Sequence, residues 1–473
     1  MCCSSRWLRA VIRILMLLTA SLVAATAQAQ FNAGNQGGNQ GGGGAGAANQ
    51  AGGILIDAEG VVRSLESQSV SAKLRKEASD AFLAKHLNSD ITTYSDRRYV
   101  SLVRLEHACA KGLTDAESLG EEVRYLAGLQ QIEYLFVDPE GSDLVIAGPA
   151  EGFSPDASGR MLGLSSGRPP LRIDDLIVAL QASINGSSTI GCSIDPEPER
   201  LARMQQFLQQ NSSPTSSGGA SRRYQEMGRL LGLQNVSVFG VPPDTHFALA
   251  LVEADFRMKR IALGVDPSGV RGLRSHLSLL KPNGNSIQRW WFTPYYEKLS
   301  TTSDRTAFHL AGQRVQLLAQ DEISNASGER SNAATTRAST QLFARMFTEK
   351  FPELAARSPV FAELQNLFDL TVIATLLQRE RIPQRIGWDM AGFVDADTDL
   401  ISRYLVPRQV ESASTFRQAG QGLVLGLIGG VTIEPRQLLR EIQSDEAQGT
   451  RLNGLRREGI DRKPAGTDNW WWD

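Results

Sequence analysis

Apolar residues recur along the chain with the spacings of both helices and strands, and the first apolar stretch differs from all later ones. Residues 14–25 are apolar except for Thr19 and Ser21; three arginines precede them, and the small-residue motif Ala27-Gln28-Ala29 follows. This order of segments is typical of a secretory signal peptide. The apolar run is shorter than the roughly 20 residues that cross a membrane. We therefore expect residues 1–29 to be removed, so that the mature protein lies outside the cytoplasm without a transmembrane anchor.

The next segment, residues 30–53, consists almost wholly of Gly, Asn, Gln and Ala. Such a composition buries too little apolar surface to offset the entropy of ordering, so we expect a flexible, disordered linker. Periodic patterns begin at Ile54. They predict hairpins around turns 57–60 and 138–141, helices over 72–87, 101–110 and 116–126, and strands over 132–137 and 144–147.

Helices and strands alternate in the middle of the chain. A helix is predicted from Asp174 to residue 182, a strand over 190–194, a helix opened by Asp195-Pro196, a strand over 236–239 and a helix over 246–259. Strands follow at 290–292 and 315–318, and residues 325–332 form a polar loop. Hairpins within this alternation favour an α+β fold over a purely parallel sheet. We predict an α+β domain over residues 54–330, in one or two lobes, with a mixed sheet and packed helices.

The remaining chain is predicted to be mainly helical. Helices over 335–350 and 359–378 precede a Gly-rich apolar strand pair at 422–433, which defines a helical section with C-terminal strands over 331–433. Glu363, Gln365, Asn366 and Asp369 interrupt the second helix, so we expect it to be buried rather than to span a membrane. Residues 434–473 are expected to form a flexible charged tail that ends in three tryptophans.

The charge of the chain restricts its partners. The formal net charge is −2, and loss of the three arginines before the cleavage motif would leave about −5. No block of five or more basic residues occurs, whereas nucleic acids and anionic membranes require clustered Lys and Arg. We therefore expect no nucleic-acid partner.

Two cysteines, Cys109 and Cys192, remain after residue 29. In an oxidising compartment they could form one disulfide, which would close a long loop and contribute about 4 kcal/mol. Two unpaired buried thiols are the equal alternative.

Two short motifs resemble functional sites but lack the context that these sites require. Residues 163–167 match the G-x-S-x-G pattern of a nucleophile elbow, yet Arg168-Pro169-Pro170 prevents the helix that must follow. Asp395, Asp397 and Asp399 resemble the start of a calcium loop, but the sixth position is Leu400 rather than Gly. We interpret the first as a Gly/Ser turn and the second as a solvated acidic turn. Metal and nucleotide motifs are lacking, so the sequence predicts no metal and no cofactor.

His246 is the histidine with the most suggestive surroundings, because it begins a predicted helix after Asp244-Thr245. An acid–base role requires a carboxylate within hydrogen-bond reach, and the candidates are Asp244, Asp255 and Asp195. The alternative is that Asp244 only caps the helix and His246 is held in its first turn.

Tryptophans are the candidate binding residues. Along a strand, Trp290 and Trp291 would point to opposite faces, so one ring could offer a stacking platform. Trp470, Trp471 and Trp472 follow a polar stretch, and three exposed indoles at the end of a tail would be unfavourable in water. We expect these three to dock, either in a groove of the same chain or on another envelope component.

Several strings of this chain resemble a planctomycete family of secreted proteins that carry a domain of unknown function, number 1598. They are GILIDAEG (53–60), YLAGL (125–129), VIAGPAEG (145–152), SGRP (166–169), GCSIDP (191–196), GVPPDTHF (240–247), VEAD (252–255), FPELA (351–355), GWDM (387–390) and QVES (409–412). The resemblance implies the compartment and the domain boundaries, and it brings no activity or catalytic residue.

Two functional hypotheses follow. The first is a non-enzymatic extracytoplasmic protein that binds an unidentified envelope protein or polymer. The second is a hydrolase or other ligand-processing enzyme that uses loops 148–153, 192–195 and 242–246, because catalytic groups often lie on loops at strand ends. Convergence of His246 with Asp195, Asp255 or Glu151 in one pocket would favour the enzyme.

Overall fold

The secondary structure of this computed structural model follows the hydrophobic pattern closely in its longer elements. The structure describes residues 49–51, 54–56, 61–64, 72–114, 119–211, 213, 217–279, 287–325, 327–395, 398–412, 425–439, 442–444, 446–466 and 469–473. The predicted signal peptide, most of the predicted linker and Asp397 lie outside the described residues.

The strands are β1 (Asn49–Ala51), β2 (Ile54–Ile56), β3 (Val61–Ser64), β4 (Ser95–Ser101), β5 (Tyr134–Asp138), β6 (Asp143–Ala150), β7 (Phe153–Pro155), β8 (Met161–Gly163), β9 (Ile190–Pro196), β10 (Leu233–Phe239), β11 (Ile287–Tyr295), β12 (Leu299–Thr301), β13 (Ala307–His309), β14 (Arg314–Ser324), β15 (Arg330–Asn332), β16 (Gln409–Glu411), β17 (Leu425–Ile433), β18 (Ile442–Ser444) and β19 (Trp471–Trp472).

The helices are α1 (Ala72–His86), α2 (Ser89–Thr92), α3 (Leu102–Thr114), α4 (Glu121–Arg124), α5 (Ile173–Ile184), α6 (Pro198–Gln210), α7 (Ser217–Leu231), α8 (His246–Leu263), α9 (His276–Leu279), α10 (Ala338–Glu349), α11 (Phe351–Arg357), α12 (Pro359–Arg379), α13 (Ile382–Ile386), α14 (Ala391–Val394), α15 (Pro435–Leu438) and α16 (Glu446–Asp461).

The strands of the described residues form two large mixed sheets and one hairpin. The larger sheet has ten strands in the order β1-β2-β3-β16-β10-β9-β17-β11-β14-β15, and the smaller has seven in the order β18-β12-β13-β5-β6-β4-β19. Most neighbours are antiparallel, but β17 runs parallel to β11, β16 to β3 and β18 to β12. The predicted α+β class, with a mixed sheet that contains hairpins, is confirmed.

Strand β17 links distant parts of the sequence, because it inserts between β9 and β11 in the centre of the larger sheet. A Cβ at Gly430 would collide with the carbonyl oxygen of Cys192, so this close approach of backbones requires glycine. Strands from both sides of the predicted boundary at 330 thus share one sheet, and the described residues from Asn49 onward belong to one compact unit.

Helix α12 is the central helix of the core and packs against α5 and α8. Its residues Val360–Leu377 are all buried, as the sequence predicted. It is long and apolar enough to cross a membrane by length and composition, yet it is enclosed by the protein. One of its polar residues, Asp369, binds Arg314 at 2.9 Å inside the core.

The predicted flexible tail is wrong for most of residues 434–473. Helix α16 covers the smaller sheet and contributes Leu452 to a cluster with Tyr99 and Phe136, and β19 pairs with β4 at the edge of that sheet. These residues fold because the sheet supplies the apolar surface that the segment lacks by itself. One smaller difference is that Asn49–Ala51 forms a strand within the predicted linker. Another is that, of the described residues in the helix expected over 116–126, only 121–124 are α-helical (α4).

Candidate functional site

A cleft of about 450 Å³ opens where the first turns of α5, α8 and α12 come together. It is lined by residues 158–161 and 169–170, by Tyr125, Arg172 and Glu363, by His246 to Glu253 on one face of α8, and by residues 403–405. We call it the His246 cleft. Its volume lies in the range of pockets that hold small molecules, which is roughly 300–1,000 Å³.

His246 occupies the first position of α8, where the Thr245 side chain accepts a hydrogen bond from the backbone NH of Ala248 and caps the helix. Its Nδ1 atom lies 2.8 Å from Oδ2 of Asp175, which is in the first turn of α5. The carboxylate therefore holds a proton on Nδ1 and leaves Nε2 on the side of the cleft. Burial and Arg172 lower the pKa of His246, but Asp175 and Glu363 outweigh them and raise it above its ordinary value.

Arg172 joins two aromatic residues of the cleft to the start of α5. Its guanidinium donates to both carboxylate oxygens of Asp174, at 2.9 and 2.8 Å. It also donates to the hydroxyl oxygens of Tyr404 at 2.6 Å and Tyr125 at 3.3 Å. Burial raises the pKa of Tyr404 to about 12, so this hydroxyl stays protonated. Since both hydroxyl oxygens act as acceptors here, their hydrogens are available to a further acceptor.

Two glutamates share one buried arginine at the cleft. Arg160 donates from Nη2 to Oε2 of Glu253 at 2.7 Å, and its Nη1 lies 3.4 Å from Oε2 of Glu363. Burial, opposed by Arg160 and assisted by Glu363, raises the pKa of Glu253 to about 7. Glu253 thus changes protonation near neutral pH, as residues at functional sites often do.

An open position lies between Glu363 and His246. Oε1 of Glu363 is 3.8 Å from Nε2 of His246, which is too long for a hydrogen bond. Oε2 of Glu363 is buried and accepts no hydrogen bond from any residue that the structure describes. The cleft therefore contains polar atoms that the protein itself leaves incompletely paired.

The carboxylates predicted from the sequence do not converge on His246. Asp244 is exposed at the rim, where it binds Arg403 at 2.8 Å. Asp255 is fully buried elsewhere on α8 and pairs with Lys259. Asp195 lies on β9 and binds Arg330. The predicted acid–base set was therefore wrong in its partners, although His246 itself lies in a cleft with other carboxylates.

Only one of the three predicted loops borders the cleft, the one that ends at His246. In loop 148–153, Glu151 is enclosed by its own partners: it accepts hydrogen bonds from Gln130 at 2.6 Å, from the backbone NH groups of Ser165 and Ser166, and from the Ser166 hydroxyl at 2.5 Å. Burial raises the pKa of Glu151, but these hydrogen bonds outweigh it and lower the pKa. The G-x-S-x-G segment is a turn, as predicted, and it holds a buried carboxylate.

The predicted tryptophan sites differ in exposure. Trp290 is fully buried between His276 and Phe343, so its ring is part of the core and offers no platform. Trp291 is half-buried, and the Arg289 guanidinium lies 5.2 Å from its ring centre.

The three tryptophans near residue 473 dock on the same chain, which was one of the two expected outcomes. Trp470 and Trp472 are buried, and Trp471 is half-buried beneath the Arg98 guanidinium at 4.6 Å. The Trp472 ring stacks on Tyr99, with 5.7 Å between ring centres. These indoles are therefore occupied by internal contacts.

Cys109 and Cys192 are free, buried thiols, so the second of the two alternatives holds in this structure. Burial raises the pKa of Cys109 to about 12, with a further contribution from Glu106. Among the described residues, no group of three or more His, Cys, Asp or Glu is arranged to hold a metal ion.

Sequence reasoning missed most of the cleft. Four of its residues lie 71 or more positions from His246 in the sequence: Asp175, Arg172, Tyr404 and Glu363. No local motif marks any of them. Glu253 alone could have been identified, because it follows His246 by two helical turns.

Comparison with known protein families gives a match over part of the chain. Residues 192–276 match the model of a protein family of unknown function, DUF1598. This match supports the resemblance for strings 240–247 and 252–255, and it includes His246 and Glu253. Asp175 and Glu363 lie outside it. No curated protein and no solved structure matches the chain.

Proposed function

We propose that this protein is a non-enzymatic, extracytoplasmic binding protein whose ligand occupies the His246 cleft. The signal-like residues 1–29 support the compartment, and they favour a ligand or partner of the cell envelope. The family of unknown function found at residues 192–276 agrees with this proposal but adds no activity to it.

The observation that carries the proposal is the incomplete pairing of Glu363 and His246. Glu363 is 6% exposed and His246 9% exposed, yet the atoms that face each other are 3.8 Å apart. Both residues line the cleft, and these two atoms are too far apart to bond to each other. A hydrogen bond that a ligand makes to either atom contributes about 0.5–1.5 kcal/mol, so the cleft favours occupation by a polar molecule.

A ligand screen by thermal shift, followed by calorimetry, tests this proposal on the mature protein from residue 30 onward. Glu363→Gln is the test variant, and Glu353→Gln, at a glutamate with a side chain that is 50% exposed outside the cleft, is the matched control. We expect a bound compound to raise the melting temperature of the wild type and the control but not of Glu363→Gln. If no compound distinguishes Glu363→Gln from the control, the cleft is not the binding site.

The compartment has its own test. Fractionation should find the protein outside the cytoplasm, with its N-terminus at or next to Gln30. An exported protein that retains Met1 would contradict the predicted processing.

A second candidate is acid–base catalysis in the same cleft, which the Asp175–His246 pair favours. Asp175 orients the imidazole, so that Nε2 accepts a proton from a bound hydroxyl or water once His246 is neutral. Glu253, whose pKa is raised to about 7, still carries a proton in a fraction of the molecules near neutral pH, where part of the imidazole is neutral, and can donate it. This is the enzyme hypothesis with the cleft in place of the three predicted loops.

The ligand found in the screen tests catalysis directly. Conversion of that ligand should follow a bell-shaped pH profile. In His246→Gln, whose amide still donates a hydrogen bond but is no base, turnover should fall far more than binding. A bound ligand that stays intact during prolonged incubation supports binding alone.

A further inference from the structure

We infer that the His246 cleft accepts a neutral molecule with neighbouring hydroxyl groups, such as a sugar or another polyol. This inference rests on the proposed binding function and adds the chemical class of the ligand. It is argued from the charge balance of the cleft, from its open hydrogen-bonding atoms and from its aromatic walls.

The charged residues that line the cleft already have partners of opposite sign. Arg172 is paired with Asp174, His246 with Asp175, and Arg160 with both glutamates. At the rim, Arg403 is paired with Asp244.

This pairing leaves almost no net charge for a ligand to neutralise. An anion in the cleft would approach Glu253 and Glu363, and a cation would approach Arg160 and Arg172. Either one would add an uncompensated charge to a mostly desolvated site, which is unfavourable. The balance therefore favours a neutral ligand.

The two atoms that face the open position require a ligand group that can both donate and accept a hydrogen bond. Glu363 Oε1 is an acceptor, and His246 Nε2 is a donor when the imidazole is protonated. These two atoms are 3.8 Å apart. A ligand oxygen about 2.8 Å from each of them would form an angle of about 85° between the two hydrogen-bond partners. One hydroxyl group meets this geometry, because it donates to Glu363 and accepts from His246.

Further hydroxyl groups of the ligand can accept hydrogen bonds from the two tyrosines of the cleft. Tyr404 lies edge-on to His246, with 5.5 Å between ring centres, so its hydroxyl and the imidazole are within the span of one small ligand. The hydroxyl oxygens of Tyr404 and Tyr125 accept hydrogen bonds from Arg172. Each hydroxyl can therefore donate its own hydrogen to the ligand. Aromatic rings also offer apolar faces to the C–H groups of a sugar ring.

Calorimetry with matched probes tests the ligand class. The panel comprises neutral sugars and polyols, including glucose, galactose, mannose and inositol, then glucuronate and glucose 6-phosphate as anions, and glucosamine as a cation. We expect at least one neutral probe to bind more tightly than its charged counterparts. Glu363→Gln and Tyr404→Phe should each weaken its binding about tenfold, the effect of one lost hydrogen bond. Tyr295→Phe, at a tyrosine that is 49% exposed, is the matched control and should change nothing.

The possible negative results distinguish a wrong ligand class from a wrong binding site. If an anion or amine binds more tightly than every neutral probe, and Glu363→Gln or Tyr404→Phe alters that binding, the ligand class is wrong and the cleft remains the site. If every probe that binds is indifferent to both variants, the cleft itself is not the site. If no neutral probe binds, the inference is overturned.

Discussion

Truncating Trp472 tests whether the segment 469–473 is a structural part of the smaller sheet. Its indole is 5% exposed, stacks on Tyr99 with 9° between the ring planes, and donates from Nε1 to the carbonyl oxygen of Gly459 at 2.9 Å. The residue thus joins strand β4 to helix α16. Trp472→Ala removes all of these contacts.

The expected cost is large compared with the stability of an ordinary domain. Replacing a buried large aromatic residue by alanine costs about 3–5 kcal/mol, and the lost hydrogen bond is part of that figure. Since domains unfold with about 5–15 kcal/mol, this one change removes at least about a fifth of the stability of an ordinary domain. Deleting residues 469–473 should cost more, because Arg98, which is fully buried, also loses its bonds to Asp473. Asp473 is 39% exposed, which reduces that contribution.

Urea unfolding followed by far-ultraviolet circular dichroism measures this cost without relying on tryptophan fluorescence. Trp291→Ala is the matched control, because Trp291 is only half-buried and lies in the larger sheet. We expect Trp472→Ala to lower the midpoint far more than Trp291→Ala, with an unchanged slope. If the two variants differ by less than about 1 kcal/mol, or if deleting 469–473 leaves the midpoint unchanged, the segment does not stabilise the sheet.

Three further changes test the electrostatics. The pKa of Glu253 is raised to about 7, so between about pH 4.5 and 7 its folded state binds more protons than its unfolded state, and its contribution to stability falls as pH rises. In urea titrations, Glu253→Gln should reduce the loss of unfolding free energy over this pH range by about 3 kcal/mol. An unchanged pH dependence would contradict the raised pKa. Asp175→Asn should lower the pKa of His246 relative to the wild type, because a carboxylate that raises it is lost while burial and Arg172 remain. An NMR titration that shows no decrease would refute the assigned pairing. Cys109 and Cys192 should react with a thiol reagent only after unfolding, since burial raises the pKa of both thiols; rapid labelling of the native protein would show that they are accessible.

Local patterns predicted the long elements well. The strand pair β5 and β6, the pair β9 and β10, and helices α8 and α12 each lie within a few residues of the predicted ranges, because each has a clear apolar period. The hairpin of β2 and β3 is confirmed by its pairing, although the turn 57–60 lies outside the described residues. What the pattern could not supply is the order of strands, since β17 enters the larger sheet between strands from much earlier in the chain.

The error at residues 434–473 has the same origin. Helix α16 is rich in charged residues, so its composition suggested a solvated tail. Its few apolar residues, such as Leu452, contact aromatic residues of strands that lie more than 300 positions earlier in the sequence: Tyr99, Tyr134 and Phe136. Composition describes what a segment can bury by itself and contains no information about a surface that another segment provides.

The error at His246 could have been avoided in part from the sequence. Each residue of an α-helix advances by about 100°, so a residue seven positions after His246 returns to within about 20° of its face, and a residue nine positions on points to the opposite side. Glu253 is the former and Asp255 the latter. The structure follows this rule: Glu253 lines the cleft with His246, and Asp255 pairs with Lys259 away from it. Asp175 and Glu363 come from α5 and α12, and only the packing of three helices brings their carboxylates to the imidazole. Because the groups that define the ligand come from different helices, a single motif cannot encode this site, and its chemistry has to be derived from the contacts.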